Sequence, residues 1–186
     1  MKTKIYFIRH VDTLKDPNQN ASKWVLSSKG EEQAREISEL AFLQDCDVIF
    51  VSSEIKTYLT IEPLAKKVNI GIVENPDLDE VRRGDKFFTK EEFEIEKFKQ
   101  LEELDYPAFG GETANQALQR FSNAVNLIKK TYEGKSIIIV SHGTILNLYF
   151  ASILSKFSDL KNRWSNTKFG AIGIIEDNKV LKDICE

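Results

Sequence analysis

Cysteine is scarce in this chain. Cys46 and Cys185 are the only two and lie far apart, which argues against a disulfide framework or a cysteine-based zinc site. A reducing cytoplasm is the expected setting, with Cys46 packed as a small hydrophobe and Cys185 in a C-terminal strand or tail. Long apolar runs are missing as well. None approaches the roughly 20 residues of a membrane span, and Met1-Lys2-Thr3-Lys4 leads straight into a short strand instead of a signal sequence. Nor is there an excess of positive charge: 26 Lys and Arg against 29 Asp and Glu give a net charge of −3. That speaks against a general nucleic-acid face, while a local basic cluster can still receive a small anion. Repeats and low-complexity tracts are not visible. What remains is 186 residues with 41% hydrophobic and 30% charged side chains, read as one domain spanning 1–186 with a large core.

Histidine is equally scarce, and here the scarcity is informative. Both histidines end apolar runs: Ile5-Tyr6-Phe7-Ile8-Arg9-His10 and Ile137-Ile138-Ile139-Val140-Ser141-His142-Gly143. Strand-length apolar runs occur at 4–8, 48–52, 70–73, 137–140, 171–176 and 180–184. They are rich in Ile and Val and barely alternate, as expected of strands covered on both faces. The last two are joined through Asp177-Asn178-Lys179, a hairpin-length connection.

Helical spacing fills the gaps. Ser28-Lys29-Gly30-Glu31 reads as a capping box ahead of Ala34, Ile37 and Leu40, and a second helix is expected from Glu54 or Ile55 to Lys67. Thr113-Ala114-Asn115-Gln116 is another capping box, and a further helix follows Gly143. Strands alternating with helices predict an α/β three-layer sandwich with a mainly parallel central sheet flanked by helices. Residues 75–112 break the rhythm, with Pro76 at one end and Tyr106-Pro107-Ala108-Phe109-Gly110-Gly111 at the other. They read as a helical insertion over the sheet's carboxyl edge, its charged helix at 89–104 either solvated or covering a substrate.

In such folds ligands sit beyond the carboxyl ends of the strands, where both histidines fall. A partly neutral imidazole at His10 can attack phosphorus. Arg9 disfavours the imidazolium and offers a fork to phosphate oxygens. A protonated His142 can donate to a phosphoryl oxygen, and Gly143 lets the chain turn into a helix whose free N–H groups favour an anion. Ser141 is a weak candidate for a serine nucleophile, because the Gly-x-Ser-x-Gly turn would need glycine where Ile139 stands. Two histidines without a nearby carboxylate set also fall short of a usual metal site.

The ordered set Arg9-His10 and Ser141-His142-Gly143 resembles the histidine phosphatase superfamily, also called phosphoglycerate mutase-like, in its small single-domain phosphatase branch. Leu26-Ser27-Ser28-Lys29-Gly30-Glu31-Glu32-Gln33-Ala34 looks like that family's Leu-Thr-x-x-Gly-x-x-Gln-Ala segment. Ser52-Ser53 through Thr60-Ile61-Glu62-Pro63 looks like its strand-to-helix segment, Leu78-Asp79-Glu80 like its Leu-x-Glu segment, and Gly110-Gly111-Glu112-Thr113 like its Gly-Glu-Ser segment. The resemblance runs from the first strand to about residue 150. It implies a metal-independent phosphomonoester hydrolase without organic cofactor, acting on a small phosphorylated metabolite. His10 would become phosphohistidine, Glu80 would serve as acid and then base, and Arg9 and His142 would bind the phosphoryl oxygens.

The sequence also departs from that pattern. Arg9-His10-Val11-Asp12-Thr13 replaces the family's Arg-His-Gly-Glu-Thr. Asp16 stands where many members have asparagine, with Asn18 nearby as a substitute. The family's second arginine is replaced by Lys56, or by Thr57 in an alternative alignment. Arg82 and Arg83, just past Glu80, are candidates for an anionic substrate at the pocket mouth, or else solvent-exposed. Mutase-type phosphoryl transfer and a non-catalytic phosphate-binding module on the same fold stay open as alternatives; no nucleic-acid or membrane partner is expected, and oligomeric state is not legible.

Overall fold

A computed structural model describes residues 2–16, 19–84 and 88–186. Six strands form one sheet: β1 (Lys4–Arg9), β2 (Val48–Val51), β3 (Ile72–Glu74), β4 (Ser136–Ser141), β5 (Ile172–Glu176) and β6 (Lys179–Lys182), in the order β3-β2-β4-β1-β5-β6. The β1/β4, β2/β4 and β2/β3 pairs are parallel, and β5 and β6 are added antiparallel at one side. The period-2 alternation of strand side chains sends neighbours to opposite faces. Ile5, Phe7, Ile137 and Ile139 enter a core completed by α5 (Ala114–Thr131) and α6 (Gly143–Leu154). Tyr6, Ile8, Ile138 and Val140 enter a second core beneath α1 (Ser28–Ser38), the short α2 (Ala41–Gln44) and α3 (Ile55–Val68). These two apolar layers explain why the strands look uniformly hydrophobic, and they make the expected three-layer α/β arrangement.

Strand and helix ends moved for local reasons. The α1 cap is Ser27, one residue earlier than the capping box implies, with its hydroxyl accepting from the Gly30 N–H. The third strand starts at Ile72 instead of 70, because Asn69 turns left-handed (φ 57°) and the Ile70 N–H still caps α3 on the Ala65 carbonyl at 3.0 Å. The last strand begins earlier and ends earlier than 180–184. Asp177 and Asn178 both take positive φ, 44° and 74°, as a two-residue hairpin turn requires. At the other end Asp183 leaves the strand for an ion pair.

Helix α4 (Lys90–Glu102) occupies the expected insertion, capped by Thr89 and Glu92 acting reciprocally. One face of it is not solvated: Lys97, Gln100 and Leu101 are buried. It packs against α7 (Leu160–Asn166) and the turn at Ala108–Gly110, and Lys97 reaches Thr144 at the start of α6, directly beyond the carboxyl end of β4. Among the described residues no helix is long and apolar enough to cross a membrane.

Helix α7 is fastened to the C-terminal segment by Arg163, which donates from both Nη1 and Nη2 to Asp183 at 2.6 Å each. Both residues are buried, at 2% and 4% exposure. Burial pushes the Asp183 carboxyl up, but the Arg163 bonds and charge outweigh it and hold the group below its usual range. Truncating one member leaves the other's charge stranded, so Asp183→Ala is expected to cost about 3 kcal/mol in urea unfolding at pH 7. The folded pKa is the lower one, so this contribution is present above the unfolded value near 4 and fades as pH falls through the folded value. The wild type should therefore lose more of its stability between pH 6 and 3 than Asp183→Asn does. Equal losses would show that the pair contributes nothing to acid sensitivity.

Candidate active site

The register of the β1/β4 pair sets Arg9 opposite Ser141, so the next residue on each strand is a histidine at the sheet's carboxyl edge. The two imidazoles lie with ring centroids 5.3 Å apart and planes at 61°, and both are buried. Nδ1 of His10 is 2.8 Å from the Val11 carbonyl oxygen. A carbonyl only accepts, so Nδ1 carries the proton and Nε2 keeps its lone pair. Burial first, then the repulsion of a proton on His142 and of the Lys56 charge, hold this ring's pKa well below the ordinary value, against the opposing effect of the Val11 bond. His10 is thus a neutral imidazole of one defined tautomer.

Around it stand three cationic or polarisable groups. The Arg9 guanidinium lies 4.3 Å above the Phe169 ring and donates through Nη1 to the Thr167 carbonyl. A Cβ on Gly143 would fall 3.0 Å from the Arg9 Cζ and Nε, so glycine is what lets the guanidinium lie against the start of α6. Arg9 Nε is buried with no hydrogen-bond partner, an unfilled donor at this point. Lys56, in the first turn of α3, is 5% exposed. Its ammonium donates to the Ala21 carbonyl at 2.7 Å and pairs with Glu54 at 2.5 Å.

His142 precedes α6, its Nε2 2.8 Å from Ser52 Oγ and 3.7 Å from Glu54 Oε1. Burial first, then the Lys56 charge, push its pKa down to about 3, with Glu80 opposing. The resting ring is neutral: burial disfavours its charged form, and the Lys56, Arg9 and Arg83 charges outweigh the nearby Glu80 carboxylate.

Glu80 comes from the loop after the turn at Pro76–Leu78. Its carboxylate accepts from the Thr144 N–H at 3.0 Å, the Ile145 N–H at 2.9 Å and the Val81 N–H at 3.0 Å, the first two being free donors of the α6 N-terminus. Burial favours the acid form, but Lys97, His142, the Thr144 N–H and Arg83 together prevail and hold Glu80 well below the usual carboxylate range. The loop is pinned from outside by Arg120 of α5. That side chain donates to the Asp77, Asp79 and Glu80 carbonyls at 2.8, 3.2 and 3.2 Å and pairs with Glu112 at 2.7 Å. Glu112 also accepts from the Arg82 N–H at 3.2 Å.

The structure brings His10, His142, Arg9, Gly143, Lys56 and Glu80 together. Asn18 lies outside the described residues. Arg82 is a correction: its guanidinium turns outward to the Pro76 carbonyl at 3.1 Å and to Asp77 at 3.9 Å, because Glu112 fixes its backbone with the side chain facing away. Arg83 is exposed as well, but its charge faces the site. Its guanidinium lies 4.7 Å from both the Phe93 and Phe109 ring centres, and its charge acts on Glu80, Glu54 and His142. The Thr57 alternative is also disfavoured, since its hydroxyl turns to the Glu54 and Ser52 carbonyls at 2.8 and 3.2 Å. Val11 replaces glycine without strain by burying its side chain in the α1/α3 core, while its N–H donates to Thr60 Oγ1 at 3.1 Å. Asp16 meets Trp24 through its backbone, its carbonyl accepting from the indole N–H at 3.0 Å. Sequence reasoning missed Glu54, Lys97 and Arg120; Lys97 looks like one more charge in a charged helix, and only its i+3 and i+4 neighbours Gln100 and Leu101 mark that face as buried.

A sequence profile described as histidine phosphatase superfamily (branch 1) matches residues 5–185. The chain belongs to this superfamily. It is 24% identical over 191 residues to phosphoserine phosphatase 1 of Hydrogenobacter thermophilus, covering 96% of this chain and 90% of that protein. A metal-independent phosphoserine phosphatase of Arabidopsis thaliana is 27% identical over 164 residues, covering 81% and 68%. Among solved structures, a phosphoserine phosphatase mutant from Entamoeba histolytica in complex with phosphoserine superimposes with a TM-score of 0.76 at 21% identity, covering 92% of this chain and 89% of that one. A mycobacterial glucosyl-3-phosphoglycerate phosphatase gives 0.76 at 16% identity, covering 92% and 88%. These likenesses at low identity show the same fold.

The two imidazoles can be read directly. In ¹⁵N spectra His10 is expected as the Nδ1–H tautomer, and neither ring should titrate between pH 8 and 5. Adding vanadate should raise the His142 pKa, since an anion in the site reverses the balance of charge. A His10 ring that protonates near pH 6.5 in the free protein would contradict this electrostatic picture.

Proposed function

We propose that this histidine phosphatase hydrolyses a small phosphomonoester in two steps through phosphohistidine at His10, and that its preferred substrates carry a carboxylate near the ester. The observation that carries the first half is the His10 tautomer: a buried neutral ring with its Nε2 lone pair free, beside Arg9, Lys56 and His142 and opposite Glu80. The Nε2 lone pair attacks phosphorus, and the ester P–O bond breaks as the leaving oxygen takes a proton from Glu80. Water then attacks the phosphoryl group and gives a proton back to Glu80. The N–P bond breaks, its electron pair returns to Nε2, and inorganic phosphate departs. Arg9, Lys56, His142 and the N–H groups at Gly143 balance the charge on the phosphoryl oxygens, which is most of what this reaction asks of a protein.

Glu80 is ionised in the empty site, so its proton arrives with the substrate: negative charge entering among Arg9, Lys56 and Arg83 offsets the cations that hold Glu80 in its charged form. The chain is a phosphatase. The relatives' names support hydrolysis over mutase-type transfer, and a binding module has no use for a poised nucleophile and an opposed carboxyl group. Arg83 supports the second half of the reading. Lying over the adjoining Phe93 and Phe109 rings with its charge toward Glu80 and Glu54, it offers a planar fork beside the phosphoryl cradle. Phosphoserine and phosphoglycerate, the ligands of the Entamoeba phosphatase structures, are of this substrate class. The same reading takes residues 1–186 as one domain with 75–112 inserted over the site, and the two free cysteines support a cytoplasmic setting.

Hydrolysis of para-nitrophenyl phosphate with EDTA present is expected to persist in the wild type. It should fall at least about 1,000-fold in His10→Ala, since no other group can accept the phosphoryl; turnover of that variant at the wild-type rate would sink the mechanism. In a substrate panel, Arg83→Met should raise KM about tenfold or more for phosphoserine and 3-phosphoglycerate, the loss of one charge-assisted fork. It should leave para-nitrophenyl phosphate within about threefold. An equal effect on both classes removes the carboxylate reading and leaves the hydrolase.

A further inference from the structure

Lys97 is a buried cation that the reaction above does not use. It sits on α4 and is 1% exposed. Its ammonium is boxed by the rings of Phe109, Trp164 and Phe93 at 5.4, 5.9 and 6.0 Å. Two side chains accept from it, Gln100 Oε1 at 2.8 Å and Thr144 Oγ1 at 2.9 Å. Among the described residues no carboxylate pairs with it at contact distance. An apolar side chain would fill this aromatic box without desolvating a charge, so packing alone does not account for a lysine here.

Thr144 links the lysine to the site. Its hydroxyl accepts from Lys97 while its N–H donates to Glu80 Oε2 at 3.0 Å. The electrostatics run along the same path. Burial brings the Lys97 pKa down to about 7, Glu80 raises it, and Arg83 and Arg9 lower it. Glu80, for its part, is faced by Lys97 from α4, by His142 and the Thr144 and Ile145 N–H groups at the head of α6, and by Arg83 from its own loop. Of these charges Lys97 acts most strongly on Glu80.

We infer that Lys97 is a positioning residue for Glu80: through Thr144 and its own buried charge it aims the carboxylate and sets the pH at which Glu80 takes up its proton. The inference rests on the proposed acid and base role of Glu80, but its central claim concerns a titration that can be read without turnover. It also gives the inserted helix a part in the chemistry, as the carrier of a charge placed behind the proton-transfer group.

The test follows the Glu80 side-chain carboxyl ¹³C shift with pH in the full chain, assigned by its loss in Glu80→Gln. In Lys97→Met the midpoint is expected to rise by about one to three pH units, as removal of a close opposite charge requires. Lys97→Arg should hold it near the wild-type value. In kcat/KM, the limb that needs protonated Glu80 should move to higher pH in Lys97→Met by the same amount. A folded Lys97→Met protein with an unchanged midpoint overturns the inference, even if its activity falls. Should that variant not fold, Lys97→Gln, which keeps a partner for Thr144, is read in the same way; failure of both to fold makes Lys97 structural and equally overturns it. Failure of the underlying reading looks different, because Glu80→Gln would then retain wild-type activity while the Lys97-dependent titration stands.

Discussion

Everything at this site depends on the parallel pairing of β1 with β4. Two segments more than a hundred residues apart become neighbours because Ile5, Phe7, Ile8 and their partners Ile137, Ile139 and Val140 have nowhere to go but the two cores. A one-residue slip would turn each apolar set to the wrong face, so burial fixes the register. The register in turn fixes Arg9 opposite Ser141 and sends His10 and His142 out side by side. The placement of these side chains is thus inherited from hydrophobic packing well below them, and α6 begins where β4 ends, so its free N–H groups arrive at the same point.

The second governing fact is an imbalance of charge in a confined space. Arg9, Lys56 and Arg83 act on the two histidines and Lys97 on Glu80, with Glu54 and Glu80 as the acidic members. An overall acidic protein therefore keeps a local surplus of positive potential. In the empty state that surplus is stored as neutral imidazoles and a strongly ionised Glu80. In the proposed reaction a phosphoryl dianion would shift every one of these equilibria at once.

Much of this was legible beforehand. The histidines, Arg9, Glu80 and Gly143 sit at the ends of strong apolar runs or in ordered motifs, where local pattern carries the meaning. Gly30 illustrates why the motif segments hold: a Cβ there would fall 2.0 Å from the Asp12 carbonyl oxygen, so the residue is fixed by the loop that follows His10. The misses have a common cause. Arg83 and Arg82 are identical in type and adjacent, and only the path of residues 108–112 decides which of them turns inward. Lys97 and Arg120 work through contacts made by tertiary folding, with partners 47 and about 40 positions away, and no local period reports such pairs. The resting charge state of His142 was hidden for the same reason, because burial and remote cations set it.

One feature of the empty site bears on how it sorts its ligands. Lys56 already holds an anion, the Glu54 carboxylate at 2.5 Å. An entering molecule must therefore compete with a tethered rival that is present at high effective concentration. A singly charged guest merely replaces one negative charge by another, whereas a doubly charged phosphoryl group has charge left over for Arg9 and the helix terminus. Glu54 thereby sets a threshold of charge: a guest gains at Lys56 only if it brings more negative charge than the carboxylate already seated there.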